Sequence, residues 1–174
     1  MVAAIARVHG LSAALVPCAY GAAVLTLTWL TQDGNLGDVM YGDLAMIVMA
    51  FPLYLAAGPL NGTLLQAVRP RPYDPAYGWD YPYSWDYVLM AWPGVVMAAL
   101  LAVLLARRRT RTAGRVLGWL SAAAVTLVGV ATTFDGWGPR RPFGWPFLVY
   151  GLAMIIGLMT ARSPATKKTA TPDV

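Results

Sequence analysis

VLMAWPGVVMAALLAVLLA, residues 88–106, followed directly by RRRTRTAGR, residues 107–115, is the stretch that decides the fold. About 20 uncharged apolar residues in helical form cross the hydrocarbon core of a bilayer, and an arginine cluster at the end of such a run marks where the chain leaves it. Working outward, four further runs share the pattern: residues 11–31, 44 to about 68, 116–134 and 147–161, the last extended at its start by Phe143 to Pro146. The second carries Pro52, Gly58, Pro59 and Asn61, which predict a kink or an unwound turn. The expected fold is an all-α integral membrane protein, a compact bundle of about five transmembrane helices with the second Pro-kinked. Residues 1–162 make one bundle and residues 163–174 a disordered cytoplasmic tail.

Composition agrees. Hydrophobic residues make up 58% and charged residues 12%, against about 25% charged in soluble domains. The net charge of +5 would suggest nucleic acid in a soluble protein, but here the basic residues gather beside apolar runs, where orientation and anionic lipid explain them. No nucleic-acid partner is expected. One cysteine, Cys18, one histidine, His9, no glutamate and only two lysines, Lys167 and Lys168, exclude a bis-histidine haem, a Cys/His zinc site, a dithiol relay and a Schiff-base lysine in the spans. No cofactor or metal is therefore expected, and Cys18 reads as a small packing residue. Eleven arginines against two lysines suggest GC-rich coding and a bacterial source. The first run is longer than a signal-peptide core and lacks a clear cleavage site, so it reads as a permanent span.

Positive charge close to span ends faces the cytoplasm. Arg107 to Arg115 and the tail with Arg162, Lys167 and Lys168 lie two crossings apart. Five crossings then place the chain in a bacterial plasma membrane with the N-terminus outside and the C-terminus cytoplasmic, and put Asp33, Asp38 and Asp43 on the cytoplasmic face. A re-entrant second run would flip the N-terminus inward.

Small residues at four-residue spacing, Gly94, Ala98, Ala102 and Ala106 in the third run, Gly118, Ala122 and Thr126 in the fourth, Ala14, Cys18 and Ala22 in the first, let helix backbones approach. They predict bundle contacts or a homodimer interface.

Apart from Asp173 of the tail, every aspartate lies near a run end, which argues against a mid-membrane ion pathway. Asp33, Asp38 and Asp43 read as a solvated loop, Asp43 capping the second helix. The richest chemistry lies in residues 69–87, RPRPYDPAYGWDYPYSWDY, where Trp79-Asp80-Tyr81 and Trp85-Asp86-Tyr87 repeat a tripeptide, and in Phe134-Asp135-Gly136-Trp137. Carboxylates beside aromatic walls are desolvated and hold protons, and aromatic faces attract cations. Asp80, Asp86 and Asp135 are the candidate acids. Trp79, Tyr81, Trp85, Tyr87 and Trp137, with Tyr54 and Asn61 of the second run, are the candidate ligand-binding groups. The competing expectation is an aromatic belt with these aspartates paired to Arg69, Arg71, Arg140 or Arg141.

Three functions fit. One is a small polytopic membrane protein binding a hydrophobic or cationic small molecule, or serving as an accessory subunit of a membrane assembly. Another is a membrane-integral enzyme on a lipid or isoprenoid, with an aspartic acid and an aromatic cage in the manner of terpene cyclisation. The last is a small transporter.

Overall fold

The computed structural model describes residues 2–65, 84–107 and 109–161, with backbone alone at 2–13, 64–65 and 84–86. Among the described residues six α-helices follow in order: α1 (Val2–Gln32), α2 (Val39–Met49), α3 (Leu53–Leu60), α4 (Ser84–Ala106), α5 (Arg111–Thr133) and α6 (Gly144–Thr160). A wide turn, Asn61–Leu65, continues α3, and a tight 3-10 turn, Gly138–Phe143, leads into α6. No strand occurs among the described residues. In hydrocarbon every backbone N–H and C=O needs an internal partner, and a helix supplies one within its own segment.

Among the described residues four helical segments are long and apolar enough to cross a bilayer: Ala14–Gln32, Tyr87–Ala106, Arg111–Thr133 and Gly138–Thr160. They run antiparallel in sequence order around α1. Gly94 of α4 meets α1 so closely that a Cβ there would lie 2.6 Å from Val24 Cγ1. Gly129 of α5 meets α6 equally tightly, 2.9 Å from the Leu148 backbone nitrogen. Lipid is as apolar as leucine, so close packing rather than water exclusion holds such helices together. Tyr20, Leu27, Met97, Leu101, Phe147, Met154 and Leu158 fill the buried centre.

The expected stripes of small residues are used unevenly. Gly118 and Ala122 are buried against neighbours, and so is Gly94, whereas Ala102 and Ala106 at the far end of α4 are exposed. On α1, Ala14 and Cys18 face outward. Cys18 is therefore not the buried packing residue expected, because α1 turns its Val16, Tyr20, Ala23 and Leu27 face to the bundle instead.

The largest departure from expectation is the second run. A fifth crossing and a simple Pro kink were expected; the run instead breaks into α2 and α3, of 11 and 8 residues, at Ala50, Phe51 and Pro52. Hydrogen bonds fix its path. Near its start, Tyr41 Oη lies 2.9 Å from Thr132 Oγ1 at the end of α5. At the break, Met49 O accepts from Tyr20 Oη at 2.7 Å, twelve residues back from the end of α1. At its far end, Asn61 Nδ2 donates to Leu89 O at 3.0 Å, only two residues past Tyr87, whose hydroxyl donates to Asp33 Oδ1 at 3.0 Å. The run dips into the bundle and returns to the end it came from. The sequence holds enough apolar residues for a crossing, but Pro52 lacks the N–H that would continue a helix, and Tyr20 gives the turn a partner at depth.

The described aspartates gather at one end, where Arg140 and Arg141 also lie. Asp33, Asp38, Asp43 and Asp135 lie at one end of the bundle, with the first turn of α4; the N-terminus of α1, Arg107, Arg109, Arg111, Arg115 and the end of α6 lie at the other. The disordered tail expected at residues 163–174 lies outside the described residues.

Tyr20→Phe keeps the ring but strands Met49 O in an apolar setting, an expected loss of about 2 kcal/mol. Thermal unfolding of both proteins in mild detergent measures it, and equal midpoints would contradict the depth assigned to the turn.

Candidate functional site

The aspartate end is organised by Arg140, whose side chain is only 12% exposed. Its Nη1 pairs with Asp135 Oδ2 at 2.6 Å, and its Nε donates to Leu36 O at 2.7 Å. The guanidinium stacks over Tyr41 at 3.9 Å from the ring centroid and lies 5.2 Å from that of Trp137. Arg141 Nε donates to Asp135 O at 2.8 Å. A planar, permanently charged guanidinium can bond and stack at once, which lysine cannot. Arg140 thus ties the turn after α1 to the α5–α6 connection and to the start of α2.

Local chemistry prepares that hub. Gly37, at φ 74°, holds the turn before α2 in the left-handed region and leaves room for the Trp137 ring to lie on its backbone. Asp38 caps α2, its Oδ1 accepting from Met40 N at 2.8 Å. The expected cap was Asp43; α2 begins five residues earlier than the apolar pattern indicated, so Asp43 falls inside it. There Asp43 is half-buried. Burial first, and the nearby Asp38 charge second, push its carboxyl above the ordinary carboxylate range. Among the described residues no hydrogen bond or ion pair engages Asp43, and Tyr54 lies near enough to feel its charge.

The structure separates the candidate residues. Trp79, Asp80 and Tyr81 lie outside the described residues. Trp85 and Asp86 stand in the first turn of α4, on backbone alone. Tyr87 bonds to Asp33. Trp137 and Asp135 surround Arg140. Asn61 joins α3 to α4, accepting from Trp92 Nε1 at 2.9 Å as well as donating to Leu89 O. Tyr54 and Asn61 both sit on the segment that follows the break in the second run, and the cation that the aromatic faces of Tyr41 and Trp137 hold is the chain's own arginine.

Polar groups within the spans are also engaged. Thr28, Thr31, Thr126, Thr132 and Thr133 each donate to the carbonyl four residues back, at 2.7 to 2.9 Å, a frequent way of satisfying hydroxyls in lipid. Thr26 Oγ1 and Tyr150 Oη lie 3.2 Å apart between α1 and α6. Among the described residues no buried side-chain polar atom lacks a partner, and no group of three His, Cys, Asp or Glu residues is placed to hold a metal.

Sequence reasoning did not find Tyr20, Tyr41 or Asp43 as organising residues. A signal existed for Tyr20, since a hydroxyl deep in an apolar run needs an acceptor; for Arg140, pairing with Asp135 was one of the alternatives foreseen. No family model, curated protein or solved structure matches this chain.

Arg140→Ala leaves Asp135 and Leu36 O without their partner and is expected to cost about 3 kcal/mol, with Arg140→Lys recovering only part; equilibrium unfolding in detergent reads both. For Asp43 the sign follows from its raised folded-state pKa: the fold favours the protonated acid, so its stability contribution is fullest below about pH 4 and is lost as pH rises through the folded value. Asp43→Asn is therefore expected to unfold at a higher temperature than the native chain at neutral pH, the difference shrinking toward acid. A difference independent of pH would exclude this assignment.

Proposed function

We propose that this chain is a four-span protein of a bacterial plasma membrane, with both termini cytoplasmic, that works by binding rather than by catalysis. Its aspartate end faces outward and holds a hydrophobic or cationic small molecule or docks on a partner subunit of a membrane assembly. The observation that carries the reading is the commitment of polar groups. Asp135, Tyr87, Asn61, Trp92 and the span threonines all serve contacts within the chain, which leaves a rigid, acidic and aromatic surface instead of a set of poised reactive groups. Accessory and binding bundles need shape and charge at one end, and no acid–base pair.

Support for the orientation comes from charge. Arg107, Arg109, Arg111 and Arg115 share an end with the start of α1, where Arg7 lies, and with the end of α6, which precedes Arg162, Lys167 and Lys168. By the bias of basic residues toward the cytoplasm, that end is inside. The re-entrant second run makes the crossing count even and brings the N-terminus in.

One observation favours the catalytic alternative: Asp43 is a half-buried acid without a described partner, close to Tyr54. In that reading Asp43 joins Asp80 and Asp86 as a proton donor to a lipid or isoprenoid held among aromatic rings.

Two measurements test the proposal. In a Cys18→Ala background, cysteines at Asn35 and Gly136 are expected to react with a membrane-impermeant maleimide in intact cells, and one at Ala113 only after permeabilisation. Labelling of Asn35 and Gly136 from opposite sides would restore five crossings. Lipid extracts of cells producing the native chain, or its Asp43→Asn, Asp80→Asn, Asp86→Asn or Asp135→Asn variants, are expected to be identical by mass spectrometry. A product lost in one correctly inserted variant would replace binding with catalysis.

A further inference from the structure

At the opposite end, five arginines fall within nine residues of the connection between α4 and α5: Arg107, Arg109, Arg111 and Arg115 are described, with Arg108 between them in the sequence. This connection is not a loose loop. Thr110 Oγ1 donates to Leu104 O at 3.2 Å, Thr110 N to Arg107 O at 3.2 Å, and Gly114 N to Thr110 O at 2.9 Å. Gly114 packs so near α4 that a Cβ would lie 2.9 Å from the Leu104 carbonyl carbon. The arginines therefore leave a fixed backbone, Arg107 and Arg109 exposed and Arg115 half-buried.

The described aspartates cannot balance this charge. Asp33, Asp38, Asp43 and Asp135 lie beyond the length of α5, 23 residues or about 34 Å, against a Debye length of about 8 Å at physiological salt. Among the described residues no carboxylate lies at this end, which leaves Arg107, Arg109 and Arg115 open to an anion from the surroundings. Its chemistry follows from what lies beside them. Leu100 and Val103 on α4 and Val116 and Leu120 on α5 are exposed apolar side chains within two to three turns of the arginines. A ligand with a phosphate to meet guanidinium groups and acyl chains to cover those residues satisfies both surfaces, and guanidinium binds phosphate in bidentate fashion.

We infer that the turn between α4 and α5 is a binding site for the phosphate of an anionic phospholipid in the adjoining leaflet. Charge that served orientation alone would need no particular lipid. The site calls for one with net negative charge and acyl chains together, so free phosphate is a poor substitute.

The full chain, purified in neutral detergent, tests this. Phosphatidylglycerol is expected to raise the unfolding temperature and to remain bound in native mass spectrometry, whereas phosphatidylcholine and inorganic phosphate at equal concentration do neither. In the R107Q/R109Q/R115Q chain the difference between the two lipids is expected to vanish. Because removing cations can also invert insertion, the R107K/R109K/R115K chain is the companion: it keeps charge and orientation but loses the guanidinium fork, so the phosphatidylglycerol shift is expected to shrink. Equal shifts from both phospholipids, an unchanged phosphatidylglycerol shift in the glutamine chain, or an inorganic-phosphate shift as large as the lipid's would overturn the site.

Discussion

Hydrocarbon offers no hydrogen-bond partners, and the architecture depends on meeting that constraint wherever the backbone departs from a helix. The break between α2 and α3 is the sharpest departure, and Tyr20 meets it by donating to Met49 O inside the bundle. Asn61 does the same where α3 widens, donating to Leu89 O while its own oxygen is taken by Trp92. These two polar side chains allow a segment rich in apolar residues to enter the bundle and leave by the same end. The gathering of the described aspartates at one end of the bundle follows from that return.

The aspartate end is then a matter of electrostatics in a partly dry setting. Arg140 is mostly buried and is compensated by a carboxylate, a carbonyl and aromatic faces at once, the combination that makes a buried cation tolerable. The same contacts fasten the loop after α1, the start of α2 and the approach to α6. Asp43 stands apart as the acid whose carboxyl burial pushes above the ordinary range. At the arginine end the balance differs, since Arg107 and Arg109 are exposed and no carboxylate lies beside them among the described residues.

Much of the site was legible in part. The aromatic rings beside Asp135 at residues 134–137 read as a place for a cation; Arg140 of the chain itself lies there, and residue types cannot say whether a cation belongs to a ligand or to the chain. Arg140 is five residues from Asp135, too far for a helical pairing rule, and the 3-10 turn that brings them together has no strong signature. Tyr87 and Asp33 are 54 residues apart and were expected on opposite faces. No local pattern could unite them while the second run was read as crossing.

The sequence by itself determined that the chain holds helices long and apolar enough to cross a bilayer, where those of α1, α4, α5 and α6 lie, and which connections carry positive charge, because apolar length and charge are local properties of consecutive residues. Only the tertiary structure decided the path of residues 39–65, the partner of Asp135 and the company of the aspartates. A run of apolar residues has the same composition whether it crosses or turns back, and the choice rests on Tyr20, Asn61 and Arg140 finding acceptors that are remote in sequence and adjacent in space.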